Sequence, residues 1–187
     1  VELVIEAPAS TSRTVPSAGE LTTAVEAGFT PERVFVSGPF KSSETVSLLR
    51  GMPGTVLSVD SPSELMALAG QELSNAVVLR LRPDFGSCAV VQAGSESRFG
   101  FTPEDLDRCR DEILSSEIDI IGFHIFAGSQ VLNTESLNDH LRRALDLSLR
   151  AAELLDIPAT VKRCQEFRPD LLGIGSTTVV FEGAKEL

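Results

Sequence analysis

The stretch that decides the fold is Thr55 to Gly70, "TVLSVDSPSELMALAG". Its first half is a short, Val-rich apolar run, which reads as a strand. Its second half carries helix punctuation. Ser61 stands as an N-cap, Pro62 at the first helical position, Glu64 three residues after the cap and Gly70 beyond the end. That spacing predicts a capping box on a helix of about two turns. A buried strand running straight into a capped helix is a βα unit.

The same unit recurs on either side. Ala18 to Ala27 reads as a helix closed by Gly28, and "RVFV" at 33–36 as a strand. Ser42 or Ser43 caps a helix running to about Arg50. "AVVLRLR" at 76–82 is the next strand, Pro103 to about Leu114 a helix capped by Thr102 with Asp105, and Ile118 to Ile125 a strand. Thr134 to about Leu155 is a long helix, with Leu137, Leu141, Leu145 and Leu149 spaced by four and Ala144, Ala151, Ala152 and Leu155 widening the apolar face. The early strands start about 21–22 residues apart. Alternating units of this kind predict an α/β fold with a parallel sheet. The closure is left open between a doubly wound sheet and a (β/α)8 barrel. In either, ligands gather at the C-terminal ends of the strands.

With 187 residues the chain is expected to be one domain. Its formal net charge of −11 argues against sequence-independent nucleic-acid binding, which needs Lys and Arg against phosphate. No apolar run approaches a membrane span and no secretory leader is visible, so the expected setting is the cytoplasm. Cys88, Cys109 and Cys164 form no metal-ligand spacing and read as ordinary thiols.

Four loops after strands hold the candidate site residues. "IDIIGFHIFAGSQ", 118–130, puts His124 and Phe126 on one side of a strand at its C-terminal mouth. Phe126 suits the face of a planar heterocycle, Gly128 a close backbone approach, and Ser129 a phosphate oxygen. The plainer reading is core packing and a capped turn. Arg80 and Arg82 share one strand face. Arg80 reads as a ligand-binding cation or as the partner of Asp60 or Glu64. Lys41 reads as a solvated lysine, or as an anion holder. Glu20 reads as a helix-capping acid. "SRFGF", 97–101, reads as simple packing.

Taken in order, "SAGEL" at 17–21, "AVEAGFTPER" at 24–33, "GPFKS" at 38–42, "VDSPSEL" at 59–65, "LRLRP" at 79–83, "SRFG" at 97–100 and "GFHIFAGSQ" at 122–130 resemble the ornithine/diaminopimelate/arginine decarboxylase family. That family is a branch of the alanine-racemase-like barrels that bind pyridoxal phosphate. The resemblance covers about residues 17–157. It implies an incomplete (β/α)8 TIM-type barrel and pyridoxal 5'-phosphate as cofactor. It also implies a lyase releasing CO2 from a small amino-acid substrate, and a homodimer in the full-length form. It places Phe126 where the family stacks a residue on the pyridine ring, usually histidine, and Ser129 at the phosphate. Arg80, His124 and Gly128 fall beside the cofactor. Two family features have no counterpart here. One is the Schiff-base lysine motif, Y-A/S-x-K-A/T-N, since the chain's lysines are Lys41, Lys162 and Lys185. The other is the family's C-terminal β domain, expected to be absent. "LLGIGSTT" at 171–178 is a loose counterpart of the glycine-rich phosphate loop. The expectation is therefore a barrel portion that is inactive on its own. The alternatives are a non-catalytic relative that regulates a true decarboxylase, a racemase of the same fold, and an unrelated binder of a phosphorylated metabolite.

Overall fold

The structure, a computed structural model, describes residues 13–85, 91–92, 97–129, 134–157 and 176–182. Cys88 and Cys164, Lys162 and Lys185, and residues 171–175 of the glycine-containing stretch lie outside the described residues. Cys109 is a free, half-buried thiol.

Strands β1 (Arg13–Val15), β2 (Val34–Val36), β3 (Val56–Val59) and β4 (Val77–Leu81) are joined by helices α1 (Ala18–Glu26), α2 (Ser43–Leu49) and α3 (Pro62–Ala69). The four strands pair in parallel in that order, so the expected 21–22-residue repeat holds. Then come β5 (Val91–Gln92), α4 (Pro103–Arg108), α5 (Arg110–Ser115), β6 (Ile120–Ser129), α6 (Thr134–Leu154) and β7 (Ser176–Glu182). β6 adds to β4 in parallel, whereas β5 and β7 both pair with β6 antiparallel. The expected parallel sheet thus ends in an antiparallel flank.

Local chemistry explains the elements. Ser17, Ser42, Ser61 and Thr102 each accept a backbone N–H of the first turn that follows, satisfying a donor the helix leaves open. Thr102 and Asp105 form the full reciprocal capping box. Ser61 forms only half of one, because the Glu64 carboxylate turns to the N–H of Asp60 instead. The single helix expected from Pro103 to Leu114 breaks at Cys109, whose ψ of 16° leaves the helical well. Arg110, just after the break, reaches Leu154 O at 2.8 Å and the Asp156 carboxylate. It satisfies an open carbonyl at the α6 terminus and complements its dipole.

The two faces of the sheet settle the closure. On one face Val34, Val36, Leu57, Val59, Val77, Leu79, Leu81, Phe123 and Ile125 are each 2% exposed or less. They join one core cluster with Leu21 of α1, Leu49 of α2, Leu65 of α3, Leu106 of α4, Ile113 of α5 and Ala144 of α6. Each such side chain contributes about 1.5–3 kcal/mol on burial. The alternate residues Phe35, Ser58, Val78, Arg80, His124 and Phe126 belong to the opposite face and to no part of that cluster. Among the described residues the helices cover one face, as in an incomplete barrel with its interior on the other face and not as in a doubly wound sheet.

On α6 the buried face runs through His140, Ala144, Leu147, Ser148, Ala151 and Ala152, and Leu155 just past its end continues it. The expected leucine stripe is corrected at Leu149, which is 44% exposed, whereas half-buried Leu145 packs against the core and the side chains of Leu137 and Leu141 lie outside the described part. The 3.6-residue period carries a strict four-residue spacing off the core face.

Candidate functional site

β2, β3, β4 and β6 run parallel, so their C-terminal ends share one edge of the sheet. The polar residues of the interior face collect there. Ser58 and Asp60 alternate with Leu57 and Val59 in β3 and its extension, Arg80 lies opposite His124 in the pairing of β4 with β6, and Phe126 follows two residues later.

Lys41 enters this edge from the loop after β2. It is buried, which corrects its reading as a solvated residue. Its ammonium donates to the carbonyls of Gly38, at 2.8 Å, and Ser58. It also sits 3.1 Å from Glu64 Oε1 in an ionic contact that is not an aligned hydrogen bond. Two carbonyls take two of the three ammonium hydrogens, and the Glu64 carboxylate balances the buried charge. Burial lowers the Lys41 pKa, and the Glu64 carboxylate acts against that shift.

Glu64 links this pair to the next. Its Oε2 accepts the Asp60 N–H at 2.8 Å, and Asp60 Oδ2 accepts from the Arg80 guanidinium at 2.7 Å. Of the two readings of Arg80, the ion pair with Asp60 is therefore present. It does not exhaust the group. The guanidinium carbon also lies 5.4 Å from the Phe99 ring centroid and 5.9 Å from that of Phe126, within cation–π reach of both. Asp60 Oδ1 is buried without a hydrogen bond. The result is an alternating row of Lys41, Glu64, Asp60 and Arg80 that ends between two aromatic rings.

His124 stands beneath. Its Nδ1 and the Ser58 hydroxyl share a 2.7 Å hydrogen bond, and the Phe35 ring meets it edge-on at 5.2 Å. Burial, reinforced by Arg80 and Lys41, pushes its pKa down to about 3. It is a neutral imidazole that braces β3 against β6, not a proton carrier at neutral pH.

Gly100 shapes the rim. Its φ is +94°, and a Cβ there would stand 2.9 Å from Arg80 O, Arg82 N and the Leu81 carbonyl carbon. Only glycine lets this segment lie against β4. Phe101 is fully buried on one side of it, while Phe99 is 46% exposed over Arg80. "SRFGF" is thus packing at Phe101 and site wall at Phe99.

Of the sequence-predicted residues, Arg80, His124 and Phe126 come together on one face. Phe126 is half-buried. Gly128 and Ser129 lie at the end of β6, opposite Gln92 and Val91, and the Ser129 side chain lies outside the described part. The β6–β7 pairing shifts between Phe126 and Ser129, a local irregularity of the kind that re-aims side chains beside sites. Sequence reasoning anticipated Asp60 as a partner of Arg80 but missed the roles of Lys41, Ser58 and Phe99 and the link that Glu64 makes between Lys41 and Asp60. One signal was there: Ser58 and Asp60 are polar at alternate positions of an otherwise apolar run.

Comparison with known proteins agrees with this geometry. A family model described as "Pyridoxal-dependent decarboxylase, pyridoxal binding domain" matches residues 9–156. The chain is similar to the L-glutamyl-[BtrI acyl-carrier protein] decarboxylase of Niallia circulans, 34% identical over 140 residues, covering 71% of this chain and 33% of that protein. It is similar to a diaminopimelate decarboxylase of Bacteroides thetaiotaomicron, 30% identical over 126 residues, covering 63% of this chain and 32% of that one. The chain thus spans about a third of the length of these curated relatives. In fold it resembles the arginine decarboxylase of Paramecium bursaria Chlorella virus, with a TM-score of 0.67 at 21% identity over 79% of this chain and 38% of that one. Among the described residues, no helix is long and apolar enough to cross a membrane. Helices on one face, a polar interior edge and the ordered motifs point the same way as the family match: the chain belongs to the pyridoxal-dependent decarboxylases and forms part of their pyridoxal-binding barrel, a family whose cofactor is pyridoxal phosphate.

Proposed function

We propose that this chain supplies part of the cofactor-binding barrel of a pyridoxal-phosphate-dependent amino-acid decarboxylase, a carbon–carbon lyase. The observation that carries the reading is the Arg80 guanidinium, anchored by Asp60 and set against the rings of Phe99 and Phe126 at the C-terminal edge of the strands.

The described residues fit the ring of the cofactor. A half-buried phenyl face suits a flat heterocycle. Arg80 holds positive charge at that edge without leaving it uncompensated. By the family resemblance, Gly128 and Ser129 would meet the phosphate. Bound pyridoxal phosphate supplies the electron sink for the charge left when a carboxylate departs as CO2.

The described residues do not fit the covalent attachment of the cofactor. Lys41 is the one lysine among them, and its ammonium is committed to Gly38, Ser58 and Glu64. Its part is to hold Glu64 and, through it, Asp60. Turnover requires an amine from outside the described residues, and we propose that these residues by themselves bind without turning over. A non-catalytic relative is the second reading, favoured by the same engagement of Lys41.

Titrating the chain with pyridoxal phosphate, followed by cofactor absorbance, tests this. Saturable binding is expected, and Phe126→Ala is expected to weaken it by about three- to tenfold. Borohydride reduction should leave Lys41 unmodified by mass spectrometry. No saturable binding by the wild-type chain would sink the proposal, and an adduct on Lys41 would sink the assigned role of that lysine.

A further inference from the structure

The cation that the network leaves out is Arg82. Leu81 faces the helices at 1% exposure, so its neighbours Arg80 and Arg82 project from the interior face. Leu81 pairs with Ile125, the last pair of the β4–β6 register, so Arg82 and Phe126 are the next residue along on their two segments. Its backbone N–H donates to Phe101 O at 2.8 Å, continuing the strand and fixing where the side chain starts.

The guanidinium is poorly satisfied. One NH2 reaches the neutral carbonyl of Gly100 at 3.3 Å. Nε is buried and makes no hydrogen bond. Among the described residues no carboxylate pairs with it. Arg80, two residues earlier, has Asp60 at 2.7 Å. Lys41 has Glu64. The edge therefore carries one cation whose charge no described residue balances. A half-buried guanidinium in that state gains most from two acceptor oxygens set side by side, the geometry of carboxylate and phosphate.

We propose that Arg82 is an oxyanion anchor: it binds a carboxylate or phosphate carried by a ligand that lies against Phe126. The inference deepens the proposed function and rests on it for the identity of that ligand. The oxyanion has two sources, the phosphate of the cofactor or a carboxylate of the substrate.

Calorimetry of the 187-residue chain in phosphate-free buffer, with inorganic phosphate, glutarate, pyridoxal and pyridoxal phosphate in turn, separates them. The affinity for at least one oxyanion is expected to fall about 10- to 100-fold in Arg82→Gln, with part retained in Arg82→Lys. Loss confined to phosphate and pyridoxal phosphate, with pyridoxal unchanged, assigns the cofactor. Loss confined to glutarate assigns the substrate. Equal affinities in wild type and variant for every ligand, or no oxyanion binding by the wild type, overturn the inference. Should Arg82→Gln fail to give a cooperative thermal melt, Arg82→Lys decides, and unchanged affinities in it overturn the inference as well. Arg82-dependent phosphate or glutarate binding, with pyridoxal phosphate bound no tighter than inorganic phosphate, removes the proposed function and leaves the anchor standing.

Discussion

Leu57, Val59, Leu79 and Leu81 press against the helices at 1% exposure or less, while Ser58, Asp60 and Arg80, in or just past the same strands, face the interior. The first set is held by contact area, which is non-directional and tolerant of which apolar residue supplies it. The second is held by directed pairs, each needing a particular partner at a particular distance. Residues adjacent in sequence thus answer to different physics. A strand can be sound on its helix side and misassembled on its interior side.

The sharpest way to break the comparison is at Lys41. Lys41→Met strands the Glu64 carboxylate and should destabilise the chain by about 3–5 kcal/mol, the scale for removing one partner of a buried pair. Lys41→Met with Glu64→Leu removes both charges and should recover most of that loss. Urea unfolding of the two singles and the double measures the coupling, and a double variant as unstable as the single would refute the pairing as described. On the helix side, Leu79→Ala should cost about 2–5 kcal/mol by leaving a cavity. Because the cost there is area and not partnership, Leu79→Met should restore it to within about 1.5 kcal/mol.

A third test is a pH dependence. Unfolded His124 takes up a proton below its ordinary value of 6.5, whereas in the fold it stays neutral down to about 3. The unfolded state binds more protons across that window, so this residue makes stability fall as pH drops from 6.5 towards 3. The slope is about 1.4 kcal/mol per pH unit for one group. His124→Gln should flatten that arm of the pH–stability curve while keeping a polar partner for Ser58. An unchanged slope would show that His124 takes up its proton equally in the folded and unfolded states, and the buried neutral imidazole would be refuted.

This contrast also marks what could be read from the chain. The helix-side face is periodic, so the βα alternation and the caps at Ser17, Ser42, Ser61 and Thr102 were legible. Arg80, His124 and Phe126 were legible too, because alternation alone puts His124 and Phe126 on one face. Lys41 was not. Between Pro39, Phe40 and two serines it looks solvated, and nothing local announces a carboxylate 23 residues on. Glu64 was masked by its place in a capping pattern that accounts for it equally well. The antiparallel partnership of β7 with β6 is a long-range pairing that strand periodicity does not encode.

Gly100 ties these regions into one fate. Because backbone touches backbone there, Phe101 below and Phe99 above are two arms of a single rigid lever. A methyl group at position 100 would prise both at once, loosening the hydrophobic interior and lifting the ring off Arg80. A defect seen in ligand affinity at this position would then be inseparable from one in melting temperature. Variation along the rim must keep an aromatic face over Arg80 at position 99 and leave the pivot bare.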